Sequence, residues 1–288
     1  MAEDPISAVT EAEATGETAA IFTDIKAAYR VGAVNLIWRH LATIPDSLPW
    51  AWRAIRPLYV DGTIARETVA FRASLRLPVL APVPPEVFAS LGLSTDDVAR
   101  IRGVLAAYDR TNSMALIALT AVAVLGNSLP LPLREGGGNG ADRAAGTPPP
   151  RPLPQGEGES FQTIPLPVLT PLDVMPPHVA ALVIRLNDFG TDADKPILAS
   201  MYRHLSHWPP YLGLAWAVLA PLDASGVLRA AIDATSRHAQ AVATGIRMDA
   251  GPPPPGALDA IAPFISDVIP KMIALCGILR AMTTASDA

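Results

Sequence analysis

The run LASMYRHLSHW holds three side chains that could do chemistry together. Ser200, His204 and His207 follow one another at spacings of four and three residues, which on a helix sets neighbours one turn apart. An imidazole titrates near neutrality and can exchange a proton with a reacting group. Two histidines at this spacing can also begin a metal site, but no carboxylate or cysteine follows at a suitable interval, so solvated helix-face histidines explain them better. Ser200 can donate to a ligand carboxylate or to its own helix backbone. Asp192 and Asp194 stand before this helix, where they either reach a cleft from a loop or act as caps and dipole partners.

A second polar group lies in AAYDRTNSMALIALTAV. Asn112 opens its strongly apolar run and can both donate and accept. It is a candidate supporting group in a cleft or, equally, a buried amide bonding to backbone at a helix break. No GxSxG, no GxGxxG after a strand, no phosphate loop and no zinc spacing accompanies these residues.

The elements that must position them are written twice. WRHLATIPDSLPWAW at 38–52 and YRHLSHWPPYLGLAW at 202–216 align at a constant offset of 164 residues, with ten identities over the 24 positions from Arg39 to Gly62. Arg39 and His40 thus match Arg203 and His204, so support of a helix junction in both copies is a stronger explanation of His204 than catalysis. The punctuation is helical. Leu36, Ile37, Leu41 and Ile44 share a face, Pro45 stops that helix, and Asp46 or Ser47 can cap the next. Leu48, Ala51, Trp52, Ile55 and Leu58 then recur at three-and-four spacing up to Gly62. Thr15 can cap an earlier helix with Ala19, Ile21, Ile25 and Ala28 as its stripe, with a counterpart at 178–187. Ser94 can cap a later one with Asp96 and Asp97 in its first turn. The matching closing element after 257 carries Pro263 and Pro270 as breaks or kinks. Trp38, Trp50, Trp52, Tyr202 and Trp208 read as core.

No period-two alternation bounded by hairpin turns is present. The expected fold class is all-α: a helical repeat over 1–128 and another over 171–288, forming an intramolecular pseudo-twofold dimer with a ligand cleft between them. Residues 129–170, dense in Gly and Pro, read as a disordered linker or surface insert.

Composition narrows the partners. The chain of 288 residues is half apolar, with 22 basic and 27 acidic side chains and a net charge of −5, which supplies no footprint for nucleic acid. The acidic N-terminus encodes no secretory signal. The longest apolar run, Met114 to Gly126, is too short to span a bilayer and reads as a buried core helix. The lone Cys276, in an apolar stretch, reads as a small buried hydrophobe in a reducing compartment. A soluble cytoplasmic protein without membrane association is expected, and a homo-oligomer is allowed.

The repeated junctions IPDSLPWAW and HWPPYL, together with YDRTN, resemble the group I 2-haloacid dehalogenases, the DehI family, over nearly the whole chain outside the Gly/Pro insert. The resemblance implies a cofactor-free hydrolase acting on carbon–halide bonds of short 2-haloalkanoic acids. There a cleft carboxylate activates water, which displaces halide at the α-carbon without a covalent intermediate. It implies that the water-activating Asp falls on Met201, just after Ala199 and Ser200, and that its supporting Asn is Asn112. It further implies that a pocket Tyr falls on Ala115, and an aromatic wall on Ala33 and Leu36. A thioether has no titratable proton and cannot act as general base. Two functions follow. One is a haloacid hydrolase whose activity is weak, rerouted or lost. The other is a catalytically degenerate protein that binds a small 2-substituted carboxylic acid or serves as a scaffold.

Overall fold

The structure is a computed structural model that describes residues 6–128 and 166–283. Those residues form an all-helical fold, with no strand among them. Thr15, in an extended conformation, precedes α1 (Gly16–Tyr29), although its hydroxyl makes no capping bond; the buried stripe is Phe22, Ile25 and Tyr29, with Ile21 and Ala28 at its margin. The short α2 (Leu36–Leu41) ends before Pro45. Asp46 precedes α3 (Ser47–Val60) in the left-handed region, at φ 59°, without a side-chain capping bond. The expected face of α3, Leu48, Ala51, Trp52, Ile55 and Leu58, is buried. Gly62, at φ 77°, then turns the chain into α4 (Thr63–Ser74), a conformation that suits a residue without Cβ. After α5 (Pro85–Ser90) comes the long α6 (Thr95–Ser128). Its start is a capping box: the Asp97 amide donates to Ser94 Oγ at 3.1 Å, and the Ser94 amide donates to Asp97 Oδ2 at 3.0 Å.

The second half runs through α7 (Pro177–Asp188), α8 (Ser200–Leu205), α9 (Pro209–Ala224) and α10 (Val227–Ala243). The order α8, Pro209, α9, Gly226 at φ 74°, α10 has the same punctuation as α2, Pro45, α3, Gly62, α4. The closing element is α11 (Ala257–Pro263), a π-helical turn over Phe264–Val268, and α12 (Ile269–Ala281). Pro263 thus closes α11, and Pro270 stands near the start of α12, directly after the π-helical turn.

Two hydrophobic cores result, and each draws on both halves of the chain. The first gathers Trp38, Trp52 and Ile55 around Met114–Ala123 of α6, together with α11 and Phe264. The second gathers Tyr202, Tyr211 and Leu212 around Ile101, Val104 and Leu105 of α6, together with Leu275, Cys276 and Leu279 of α12. Helices α6 and α12 pack along one another and pass from one core to the other in opposite directions. Where they cross, the buried Asp109 of α6 accepts from Arg72 of α4 and Arg280 of α12.

The helical stretch Ala257–Ala281 is long and apolar enough to cross a membrane by length and composition, and 67% of its most apolar window is buried inside the protein. The Met114–Gly126 run is likewise buried within α6. Of the expected linker, 129–165 lies outside the described residues. Residues 166–170 lie on the second lobe, where the Thr170 carbonyl accepts from Arg203 Nε at 2.9 Å and the Val168 carbonyl is 2.8 Å from His207 Nε2.

Candidate active site

A cavity of about 550 Å³ opens between the two cores beside the α6–α12 crossing. One wall is the connection from α1 into α2, residues 31–39. The others are residues 107–112 of α6, the start of α8, the π-turn with the start of α12, and the segment from Leu166. Ala33, Leu36, Asn112, Ala199 and Ser200 all line it. Ala115 and Met201 do not. Ala115 is sealed in the first core. Met201 is fully buried in the second, where the Cys276 thiol of α12 donates to its sulfur at 3.1 Å. The cause is angular. Residue 201 stands about 100° around α8 from Ser200, whereas His204 stands only about 40° from it, so residues 200 and 204 share the cavity face while 201 turns to α12.

The polar groups of the cavity converge from different elements. Asn35 donates through Nδ2 to Asn112 Oδ1 at 3.2 Å and to Thr111 Oγ1 at 3.4 Å. That orients the Asn112 amide and leaves its Nδ2, on a residue only 6% exposed, without a hydrogen-bond partner. Asn112 lies inside α6, not at a helix break. Tyr108, one turn earlier, meets the Ser200 hydroxyl. Burial pushes the Tyr108 phenol well up, against the opposing effects of the Arg39 charge and the Ser200 hydrogen bond, so it stays a neutral donor. Arg39 also lines the cavity. Glu11, at the exposed rim, has both carboxylate oxygens engaged, one by the Val34 amide at 2.8 Å and one by Lys26 Nζ at 2.7 Å.

The repeated histidines are identical in sequence and different in setting. His40 Nδ1 lies 2.8 Å from the Ser7 carbonyl. His204 is 4% exposed, lines the cavity with its ring centroid 5.8 Å from that of Tyr108, and has an Nδ1 without a partner. Burial pushes the His204 imidazole down to about 4. The Pro167 carbonyl opposes this, and the charges of His207, Arg203 and Arg39 add to it. His40 is thus tied to the N-terminal segment, whereas His204 lines the cavity and its buried Nδ1 has no partner. His207 is exposed and bonded to Val168. Asp192, with its side chain 94% exposed, lies 3.7 Å from Arg229 and away from the cavity, and Asp194 is exposed. Trp38, Trp50, Trp52, Tyr202 and Trp208 are buried in the cores. Among the described residues no group of three or more His, Cys, Asp or Glu could hold a metal ion.

Asn35, Arg39 and Tyr108 were not singled out by residue type. For Tyr108 a signal existed: in AAYDRTNS it stands four residues before Asn112, one helical turn away. Nothing comparable marks Asn35.

No protein-family model matches the chain. Among curated proteins it is 25% identical, over 226 residues, to an (R)-2-haloacid dehalogenase of Pseudomonas putida, covering 77% of this chain and 70% of that one. Among solved structures it resembles a D-2-haloacid dehalogenase in complex with L-LA, with a TM-score of 0.67 and 21% identity over 98% of this chain and 97% of the other. It also resembles a D-2-haloacid dehalogenase mutant with D-2-CPA, with a TM-score of 0.64 and 19% identity over 98% and 96%. The structural likenesses establish a shared helical fold. Together with the sequence match they support a family relationship to the 2-haloacid dehalogenases, at low identity.

Proposed function

We propose that the cavity between the cores binds a short 2-substituted carboxylic acid and that the protein is a hydrolase of the dehalogenase type, replacing halide at the α-carbon with water-derived hydroxyl. The observation that carries the reading is the Nδ2 of Asn112, a buried donor without a partner on the cavity wall. Leaving such a donor unsatisfied costs on the order of 1–3 kcal/mol, a cost that a ligand acceptor removes. A carboxylate is suited to it, because the Tyr108–Ser200 hydroxyl pair and Arg39 add donors and positive charge on the same cavity. The other walls, with Val31, Ala33, Leu36, Phe264, Val268 and Met272, offer an apolar surface to the alkyl and halogen end. The relatives are named as 2-haloacid dehalogenases, and a 2-haloacid belongs to this class of acid.

In the reaction, the oxygen of water forms a bond to the α-carbon as the carbon–halogen bond breaks. The halide leaves with the bonding pair, and one water proton passes to a base. Residue 201 cannot be that base, since a thioether carries no titratable proton and its side chain is committed to Cys276. That observation favours a second reading, in which the cavity binds the acid without turning it over.

Halide release from racemic 2-chloropropionate, paired with calorimetric titration of the same acid, separates the two. Release above the buffer rate supports the hydrolase, and binding without release supports the degenerate reading. Neither binding nor release removes both.

A further inference from the structure

We infer that Nδ1 of His204 is the atom that takes the proton from the attacking water, a role that no other group lining this cavity among the described residues is placed to fill. The inference rests on the hydrolytic reading above and adds to it a base that the sequence repeat concealed.

Four observations meet at this ring. Its Nδ1 is buried and has no partner, and it belongs to a cavity-lining residue. The matching nitrogen of His40 is occupied by the Ser7 carbonyl, so the open position is not a habit of the repeated motif. The Pro167 carbonyl lies against the His204 imidazole. A carbonyl only accepts, so with Nδ1 unpartnered it selects the tautomer carrying its proton on Nε2 and leaves the Nδ1 lone pair available. Lastly, His204 follows Ser200 by one turn on the same face of α8 and sits against Tyr108, which places it beside the donors proposed for the substrate carboxylate.

The competing groups are occupied or inert. Both oxygens of Glu11 are bonded, the Tyr108 phenol is held neutral by burial, and Met201 faces α12. The charged and titratable groups around His204 are Arg39 from α2, Tyr108 from α6, Arg203 on α8 and His207 just after it. The positive members of this set disfavour imidazolium in the empty cavity. A bound acid brings the missing negative charge, so the ring becomes a better base only when substrate is present. Burial has already lowered it to about 4, near the ordinary range of an aspartate, so at neutral pH it is unprotonated and ready to accept. In the step itself the water oxygen bonds to the α-carbon, halide departs with its electron pair, and the proton moves to Nδ1. The resulting imidazolium then returns that proton to solvent through the cavity mouth.

The test uses the full chain, racemic 2-chloropropionate, and the variants H204Q and H204A. In H204Q, halide release is expected to fall by about 100-fold or more, the range of a lost general base, while the dissociation constant for the acid stays within about threefold. In H204A, added imidazole is expected to restore release, which a purely structural histidine would not allow. Release by H204Q within about threefold of the parent rate, or no rescue of folded H204A, overturns the assignment while leaving the hydrolytic reading intact. Absence of halide release from the parent protein, with the acid still bound, overturns both at once. Should H204Q fail to fold, the H204A rescue decides.

Discussion

Met201→Asp puts an acid at the position where the resemblance implies a water-activating carboxylate, and the structure says the change should damage the protein without raising its halide release. Residue 201 is fully buried, in contact with the Cys276 thiol and outside the cavity lining. Removing the methionine forfeits about 2 kcal/mol of apolar burial. Ionising the new carboxyl there is unfavourable, so it stays protonated. At pH 7 that costs about 1.36 kcal/mol for each unit between its ordinary value near 3.9 and 7, or about 4 kcal/mol as a ceiling. The sum of about 6 kcal/mol is a large part of the 5–15 kcal/mol by which domains are typically stable. The pH signature identifies the cause. A carboxyl whose folded pKa is raised loses its penalty as pH falls toward the unfolded value, so the gap between variant and parent should narrow by about 3 kcal/mol between pH 7 and pH 5. Urea unfolding of both proteins at the two pH values measures this gap, and chloride release from 2-chloropropionate is assayed alongside. A variant as stable as its parent at pH 7, with halide release above the parent's, would refute the reasoning, because it would mean that residue 201 reaches the cavity.

Further outcomes follow from other residues. His204 is neutral in the fold down to about 4 and ordinarily titrates near 6.5, so its contribution is intact above pH 6.5 and is lost as pH falls to 4. The loss is about 3 kcal/mol in total, and urea titrations should find this slope missing from H204Q. Asn112→Ala removes the unpartnered donor and should weaken calorimetric binding of 2-chloropropionate by about tenfold or more, with little change in unfolding midpoint. Asp109→Ala breaks the pairing with Arg72 and Arg280 where α6 and α12 cross and should cost about 2 kcal/mol or more in denaturant unfolding. Gly190→Ala should cost about 1–3 kcal/mol by the same measurement, since Gly190 has φ +68° and an added Cβ would overlap Ile232.

The helical architecture was legible because its signals are local. Gly62 and Gly226 carry left-handed backbone, Ser94 forms its capping box, and α3 buries the face that its spacing demanded. Capping was overread at Thr15 and Asp46, where the helix begins without a side-chain bond, since a capping residue type permits that bond but neighbouring backbone geometry decides whether it forms. The crossing of α6 and α12 between two cores was not legible, because apolar faces along one helix do not say which partner covers each.

The candidate site divides in the same way. The sequence and the resemblance it carries put forward Ala33, Leu36, Asn112, Ala115, Ala199, Ser200 and Met201, of which all but Ala115 and Met201 line the cavity. The sequence also determined that residue 201 carries no titratable group, a matter of side-chain chemistry. Only the tertiary structure decided that Met201 turns to Cys276 while His204, three residues on, turns to the cavity. On a helix of six residues, an angular difference of about 60° separates those two fates, and the packing of α8 against α6 and α12 sets where that angle falls. The repeat wrote two equal histidines, and their unequal surroundings gave one of them a free nitrogen.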